Sequence, residues 1–286
     1  MNSSSHLSRI ADALIAAQDG AATLAPITEA HPDFSVAEGY AVLAEIEARR
    51  RGAGWQSVGR KIGFTNRTLW PRYGVWQPMW AHTWTHTVQH AEAGRATQSL
   101  RSLVQPRIEP EVVFKLKGPV PTTDDPLAVL ESVEWIAPGF EIVQSPFPDW
   151  TFKAPDCTAA CGLHGALTVG RPLAITEENR ARIAATLPVF TATLSRGETV
   201  MDRGSGANVL DSPALALVHL ARVLAELPQF PPLAAGEMVT TGTLTDAWPV
   251  APGETWSSDY GDLGLEGLRL RFELGVCRTF DRPMTS

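Results

Sequence analysis

Cysteine is scarce in this chain. Cys157, Cys161 and Cys277 are its 3 cysteines in 286 residues, and an odd, small count gives no disulfide framework. The spacing of Cys157 and Cys161 would suit a metal on a helix, but no second pair follows, so both read as buried small hydrophobes. Basic charge is also in short supply. With 24 Lys and Arg against 31 Asp and Glu, the net charge is −7, which disfavours nucleic acid as a partner. No apolar run approaches the roughly 20 residues of a membrane helix. Residues 1–8 lack the basic-then-apolar layout of a secretion signal. There is no internal repeat and no low-complexity linker. What remains is an ordinary globular composition, 44% hydrophobic and 19% charged, long enough for one or two domains and a sizeable core. A cytoplasmic enzyme with no membrane partner is the expectation.

The informative stretch is Pro106 to Leu116, which reads as a β-strand. Side chains alternate, so Arg107, Glu109, Glu111 and Val113 share one face and Ile108, Val112, Phe114 and Leu116 the other. One face is apolar enough for a core. The other carries two carboxylates about 7 Å apart. Like charges that close call for a cation between them or a proton on one of them, and a hard divalent cation with oxygen ligands is the direct solution. The bland alternative is a pair of solvated carboxylates on an edge strand, and Pro110, which cannot donate to a ladder, fits either reading.

Around that strand the patterns predict mixed structure. A helix is expected over 5–18, with Leu7, Ile10 and Leu14 on one stripe and Gly20 as a stop. A second begins at Ser35, where Ser35 and Glu38 make a capping box behind Phe34 and Arg49 to Arg51 suit the C-terminal dipole. A strand over 55–65 precedes a short helix capped by Asn66. Trp70, Trp76, Trp80 and Trp84 then read either as core or as the lining of an apolar pocket or lid. His82, His86 and His90 alternate with threonines on a β-prone stretch, which argues against a three-histidine metal site. Asp125-Pro126 is expected to start a helix through Ile136, followed by a strand over 139–144 that carries Glu141. Further on come a strand over 165–169, a helix from Thr176 to Leu187, a hairpin turning at Arg196-Gly197, and a helix opened by Ser212-Pro213. The last strand places Leu268, Leu270, Phe272 and Leu274 on one side. The fold class is α+β with a curled mixed sheet.

An ordered set of motifs resembles the fumarylacetoacetate hydrolase superfamily, in the branch of 2-oxopent-4-enoate hydratases and 4-oxalocrotonate decarboxylases. The set is Lys61 to Thr65, Arg107 to Glu111, Glu141, Leu233 to Gly242, Val250 to Thr255 and Asp259 to Gly264. The resemblance implies a mixed β-roll over 55–286 behind a helical region over 1–54, and a homo-oligomer. It implies Mg²⁺ or Mn²⁺ held by Glu109, Glu111 and Glu141. It also puts Lys61 on the oxygens of a bound 2-oxo or 2-hydroxydienoate acid, with Thr241 among the substrate contacts.

The far end of the family pattern is rewritten here. Met79 stands where an acidic residue is usual, Ala160-Cys161 replace an Asp-Asn pair, and Leu163 and His164 replace serines. A less polar substrate tail facing Met79, Trp76 and Trp80 is therefore expected, and His164 is a candidate for the missing proton relay. The expected reaction is hydration at C4. Decarboxylation of a 2-oxo-3-enedioate, hydrolysis of an acylpyruvate, and a catalytically idle binding subunit are the alternatives.

Overall fold

Helices open the chain, each bounded by its own chemistry. The computed structural model describes residues 3–275. Its first elements are α1 (Ser3–Asp19), a single turn α2 (Ile27–Ala30), and α3 (Val36–Gly52). The box expected at Ser35 is formed: Glu38 N–H donates to Ser35 Oγ at 3.2 Å and Ser35 N–H to the Glu38 carboxylate at 2.9 Å. The arginines at the end of α3 do more than answer its dipole. Arg49 reaches Asp12, and Arg50 reaches Asp19 at 2.6 Å, which ties α3 to α1.

The chain then lays down β1 (Ser57–Gly63), a short α4 (Trp70–Tyr73), β2 (Met79–Trp84), β3 (Val88–His90), β4 (Arg95–Ser99) and β5 (Arg107–Leu116). The helix expected to run to Ile136 stops much sooner. Asp125 caps α5 (Pro126–Val129), a 3₁₀ turn follows, and β6 (Val133–Val143) begins. Val133 and Ile136 lie opposite Leu116 and Phe114 of β5. Pairing with a long neighbour strand outweighs the helical start, and it suits β-branched residues.

After β6 come α6 (Ala154–Ala159), β7 (His164–Val169), β8 (Leu173–Ala174), α7 (Glu177–Thr186), β9 (Thr191–Arg196), β10 (Thr199–Ser205) and α8 (Pro213–Ala225). Then β11 (Met238–Thr240), β12 (Trp248–Pro249), β13 (Thr255–Asp259) and β14 (Arg269–Glu273) complete the described chain. The stretch Gly206–Ala225 is long and apolar enough to match a membrane span by composition, contrary to the reading of the sequence. It is 61% buried within the protein and ends in the core helix α8.

The strands form two mixed sheets. One runs β2-β1-β11-β5-β6-β7-β3, with β12 on β5 and β8 on β6; the other runs β10-β9-β13-β14-β4. The larger one curls into a half-barrel, which gives the expected α+β roll. The core divides along the length of β5, on the one face that its alternation turns away from the carboxylates. Val112, Phe114 and Leu116 pack with Leu217 and Leu220 of α8, and Ile108 packs with Phe140, Trp256 and Phe272 between the sheets. Leu268, Leu270 and Phe272 are buried as expected, but β14 ends at Glu273 and Leu274 is 66% exposed. Cys157 is buried and Cys161 half-buried; Cys277 lies outside the described residues.

Candidate metal centre

Antiparallel register assembles the acidic cluster. On β5 and β6, Glu109 lies opposite Glu141 and Glu111 opposite Gly139. One oxygen from each of Glu109, Glu111 and Glu141 falls within 4.8 Å of the others. Glu111 and Glu141 are fully buried and Glu109 partly so. Gly139 is needed for this crossing, because a Cβ there would come within 2.6 Å of Val113 Cγ2. The Tyr260 hydroxyl lies 3.0 Å from the Glu111 carbonyl and 3.1 Å from that of Gly139, pinning the strand pair at the cluster.

Each carboxylate is held differently. Glu111 Oε2 accepts from Gly242 N–H at 2.9 Å and from the Thr240 hydroxyl. Gly242 has φ +96°, and a Cβ on it would overlap Thr65 Oγ1, so only glycine brings its N–H there. Glu141 Oε1 accepts from His164 Nδ1 at 2.9 Å, and the other ring nitrogen of His164 is 2.9 Å from Thr87 Oγ1. His164 reaches Glu141 because it pairs with Val143, two residues along β6, across a bulge.

Lys61 enters from β1, where it pairs with Thr240 of β11 on one side and Ala81 of β2 on the other. Its Nζ is 3.3 Å from Glu141 Oε2 and donates to the Gly162 carbonyl at 2.9 Å. That carbonyl sits in an unusual turn: Cys161, Gly162 and Leu163 all have φ between +56° and +62°. A non-glycine residue in this region costs about 1–3 kcal/mol, so two such residues beside Lys61 mark a segment held by its surroundings.

The electrostatics follow from burial and crowding. Burial pushes Glu109 up to about 7 despite the pull of Lys61, and the Glu141 charge adds to the rise. Burial, Glu141 and Glu109 push Glu111 well above the carboxylate range. Burial alone would raise Glu141 too, but Lys61 and the His164 hydrogen bond outweigh it and hold Glu141 below its ordinary value. Burial would likewise lower Lys61, and the three glutamates reverse that. Burial and charge together thus favour a Lys61–Glu141 ion pair and disfavour ionisation of Glu111 beside it. Glu111 Oε1 has no hydrogen-bond partner, and Glu141 Oε2 has the ammonium nearby but no hydrogen bond. Unsatisfied buried oxygens in an all-oxygen donor set fit a hard divalent cation.

The other residues expected at the site differ in their surroundings. Ala81 shares the Lys61 face of β2, so Trp80 takes the opposite face, over Arg60 and between Tyr40 and Phe230. Trp80 is a core residue, and its expected substrate contact is corrected. Trp76 is 77% exposed in the loop before β2. Met79 is buried under Thr158, whose hydroxyl is 3.0 Å from its sulfur. The Thr241 hydroxyl donates to the Val112 carbonyl at 2.9 Å, and the neighbouring Thr240, which the sequence reading passed over, meets Glu111. The three histidines do not converge as ligands: His82 pairs with Glu47 and His86 meets Trp55 edge to face.

No protein-family model matches the chain. Curated relatives do. A 2-keto-4-pentenoate hydratase of Paraburkholderia xenovorans (strain LB400) is 31% identical over 266 residues, 92% of this chain and 93% of the relative. A 4-oxalocrotonate decarboxylase of a Pseudomonas species is 30% identical over 262 residues, 90% and 95% of the two chains. The chain belongs to this hydratase and decarboxylase family. Another family relative, the 2-hydroxyhexa-2,4-dienoate hydratase of Comamonas testosteroni, is 29% identical over 252 residues, 87% of this chain and 89% of the relative. The family fold is also that of a solved 4-oxalocrotonate decarboxylase from Pseudomonas putida G7, complexed with magnesium and adipate. The TM-score is 0.84 at 24% identity, over 95% of this chain and 99% of that one.

Proposed function

We propose that the protein is a divalent-metal-dependent lyase that converts a 2-hydroxy-2,4-dienoate into a 4-hydroxy-2-oxo acid. The observation that carries this is the convergence of Glu109, Glu111 and Glu141 within 4.8 Å, with Lys61 beside them, in a chain whose relatives are named for such hydrations. The three glutamates would hold Mg²⁺ or Mn²⁺. When bound, the cation supplies Lewis-acid polarisation of the C2 oxygen of the acid.

The remaining work falls to the chain itself. Loss of the 2-hydroxyl proton and delivery of a proton to C5 leave a C3–C4 double bond conjugated to the 2-oxo group. Water then adds, oxygen at C4 and hydrogen at C3. The Lys61 ammonium, already facing Glu141, adds a second positive charge where the C2 oxygen becomes negative. His164 keeps Glu141 oriented through Nδ1 and is the candidate proton carrier on the side where the family relay is rewritten. The closed, carboxylate-lined setting suits a small acid; neither nucleic acid nor a membrane is a partner in this reading, and the enzyme is a cytoplasmic homo-oligomer.

Decarboxylation of a 2-oxo-3-enedioate is the second reading, favoured by the 30% identity to a named decarboxylase. The test is product analysis with Mg²⁺ present. A 2-hydroxy-2,4-dienoate should yield a 4-hydroxy-2-oxo acid. CO₂ released from the enedioate alone would establish the second reading, and cleavage of an acylpyruvate alone would reject both.

A further inference from the structure

The turn between β2 and β3 reaches the metal centre through a single hydroxyl. Thr87 N–H donates to the Trp84 carbonyl at 2.9 Å and closes that turn. The Thr87 carbonyl accepts from Leu167 N–H at 2.8 Å, and Leu167 lies opposite Glu141 across β6 and β7. The turn is therefore fastened to the strand that also carries His164. Thr87 stands 77 residues from His164 in sequence, and its Oγ1 is 2.9 Å from Nε2 of that buried ring.

The hydrogens in this chain of contacts can be placed. Glu141 faces the Lys61 ammonium at 3.3 Å, an ion pair in which the carboxylate has no hydrogen to give. The Nδ1 of His164, 2.9 Å from Glu141 Oε1, must therefore donate. A neutral ring then leaves a bare lone pair on Nε2, and the Thr87 hydroxyl is placed to fill it. The Trp84 carbonyl, 3.0 Å from the same hydroxyl, already accepts the Thr87 N–H, so the hydroxyl hydrogen is free to turn to the ring. The hydroxyl oxygen in turn accepts from Trp84 N–H at 3.1 Å. The donors thus run one way, from Trp84 N–H through Thr87 and His164 to Glu141, and hydrogen bonds aligned in this sense strengthen one another. Thr87 lies outside every family motif, and His164 stands where the family has serine, so the pair belongs to this chain rather than to the shared site.

We infer that Thr87 is a positioning residue: its hydroxyl fixes the tautomer and the plane of His164, which in turn keeps the Glu141 carboxylate turned toward Glu109, Glu111 and the cation they hold. The inference rests on the reading of the three glutamates as cation ligands and adds the residue that orients one of them.

Two readouts test it. In metal-free protein, ¹⁵N spectra of labelled histidine, with His164 assigned by its loss in His164→Asn, should show the ring hydrogen on Nδ1; a bare Nδ1 would overturn the inference. Calorimetry then reads Mg²⁺ affinity. Thr87→Val, which keeps the shape and loses the hydroxyl, should bind Mg²⁺ about tenfold more weakly, and Thr87→Ser should bind as the wild type does. Combining Thr87→Val with His164→Asn separates positioning from damage to the turn. Asn offers an amide in place of Nδ1 and nothing in place of Nε2, so the Thr87 substitution should cost less than about twofold in that background. Unchanged affinity in Thr87→Val, a comparable loss in Thr87→Ser, or the same loss with and without His164 would overturn the positioning role alone. Absence of Mg²⁺ binding in the unaltered protein would reject the cation reading and the inference with it.

Discussion

Replacing Glu111 by Gln should stabilise the metal-free protein at alkaline pH while weakening its hold on a divalent cation. Glu111 is fully buried, and its Oε2 keeps both donors if the Gln oxygen takes that position, facing Gly242 N–H and Thr240. The amide then occupies the place of Oε1, which has no partner, and can donate toward Glu109 or Glu141. Two carboxylates 4.8 Å apart repel by on the order of 3–4 kcal/mol at an effective dielectric of 20. Burial and this repulsion together raise the Glu111 carboxyl well above the ordinary carboxylate range. The advantage of Gln over Glu should therefore be smaller at pH 6 than at pH 9, growing as the wild-type cluster ionises and bounded by that repulsion. Mg²⁺ binding should move the other way. The wild type must release a proton to bind the cation, and the variant has one charge fewer to offer, so affinity should fall by about two orders of magnitude. Chemical denaturation of metal-free protein at both pH values, and calorimetry in buffers of different ionisation enthalpy, read these quantities. Unchanged Mg²⁺ affinity, or a variant less stable than wild type at pH 9, would refute the convergence of the three carboxylates on one cation.

Three further outcomes are expected. Metal-free wild type should lose stability as pH rises: Glu109 sits at about 7, above its unfolded value, so its contribution is complete below about pH 4.3 and gone above 7, on the order of 2 kcal/mol after allowing for partial exposure. Urea titrations with and without saturating Mg²⁺ measure this, and a stability that climbs over that range would contradict it. Lys61→Ala should lower kcat by at least about a hundredfold with a much smaller change in Mg²⁺ affinity; parallel losses would mean Lys61 only supports the metal. Trp80→Ala should destabilise the fold by about 3–5 kcal/mol yet leave oxalate affinity per folded molecule unchanged, whereas a substrate-lining tryptophan would change that affinity.

What could be read from the sequence was mainly local. Glu109 and Glu111 share a face because strand alternation is fixed by backbone geometry, so that pair was visible at once. Glu141 was different. Its place opposite Glu109 depends on the register of β6, which nothing in its own flanking residues specifies, and only family resemblance supplied it. The link from His164 to Glu141 passes through a bulge and was equally invisible. Trp80 was misassigned because β2 is buried along its whole length, and with polar His82 on one face and Thr83 on the other it has no alternation to tell its two faces apart. Thr240 was overlooked for Thr241 because a three-residue strand is too short for its phase to be read. The helix drawn to Ile136 failed because capping signals mark where a helix starts, while its length was decided by a strand partner distant in sequence.

The separations across the site carry a consequence for how the chain folds. Lys61 finds the Gly162 carbonyl across 101 residues, Thr240 finds Glu111 across 129, and Tyr260 reaches the Glu111 carbonyl across 149. None of these meetings can occur until β1, β5, β6 and β11 stand side by side, and such non-local pairings form slowly because long loops must close first. A nascent chain released up to β7 already holds all three glutamates yet lacks Thr240, Gly242 and Tyr260. Cation capture should thus be a late event, appearing on the timescale of full sheet closure rather than with early helix signals, which makes stopped-flow metal binding a clock for the last step of folding.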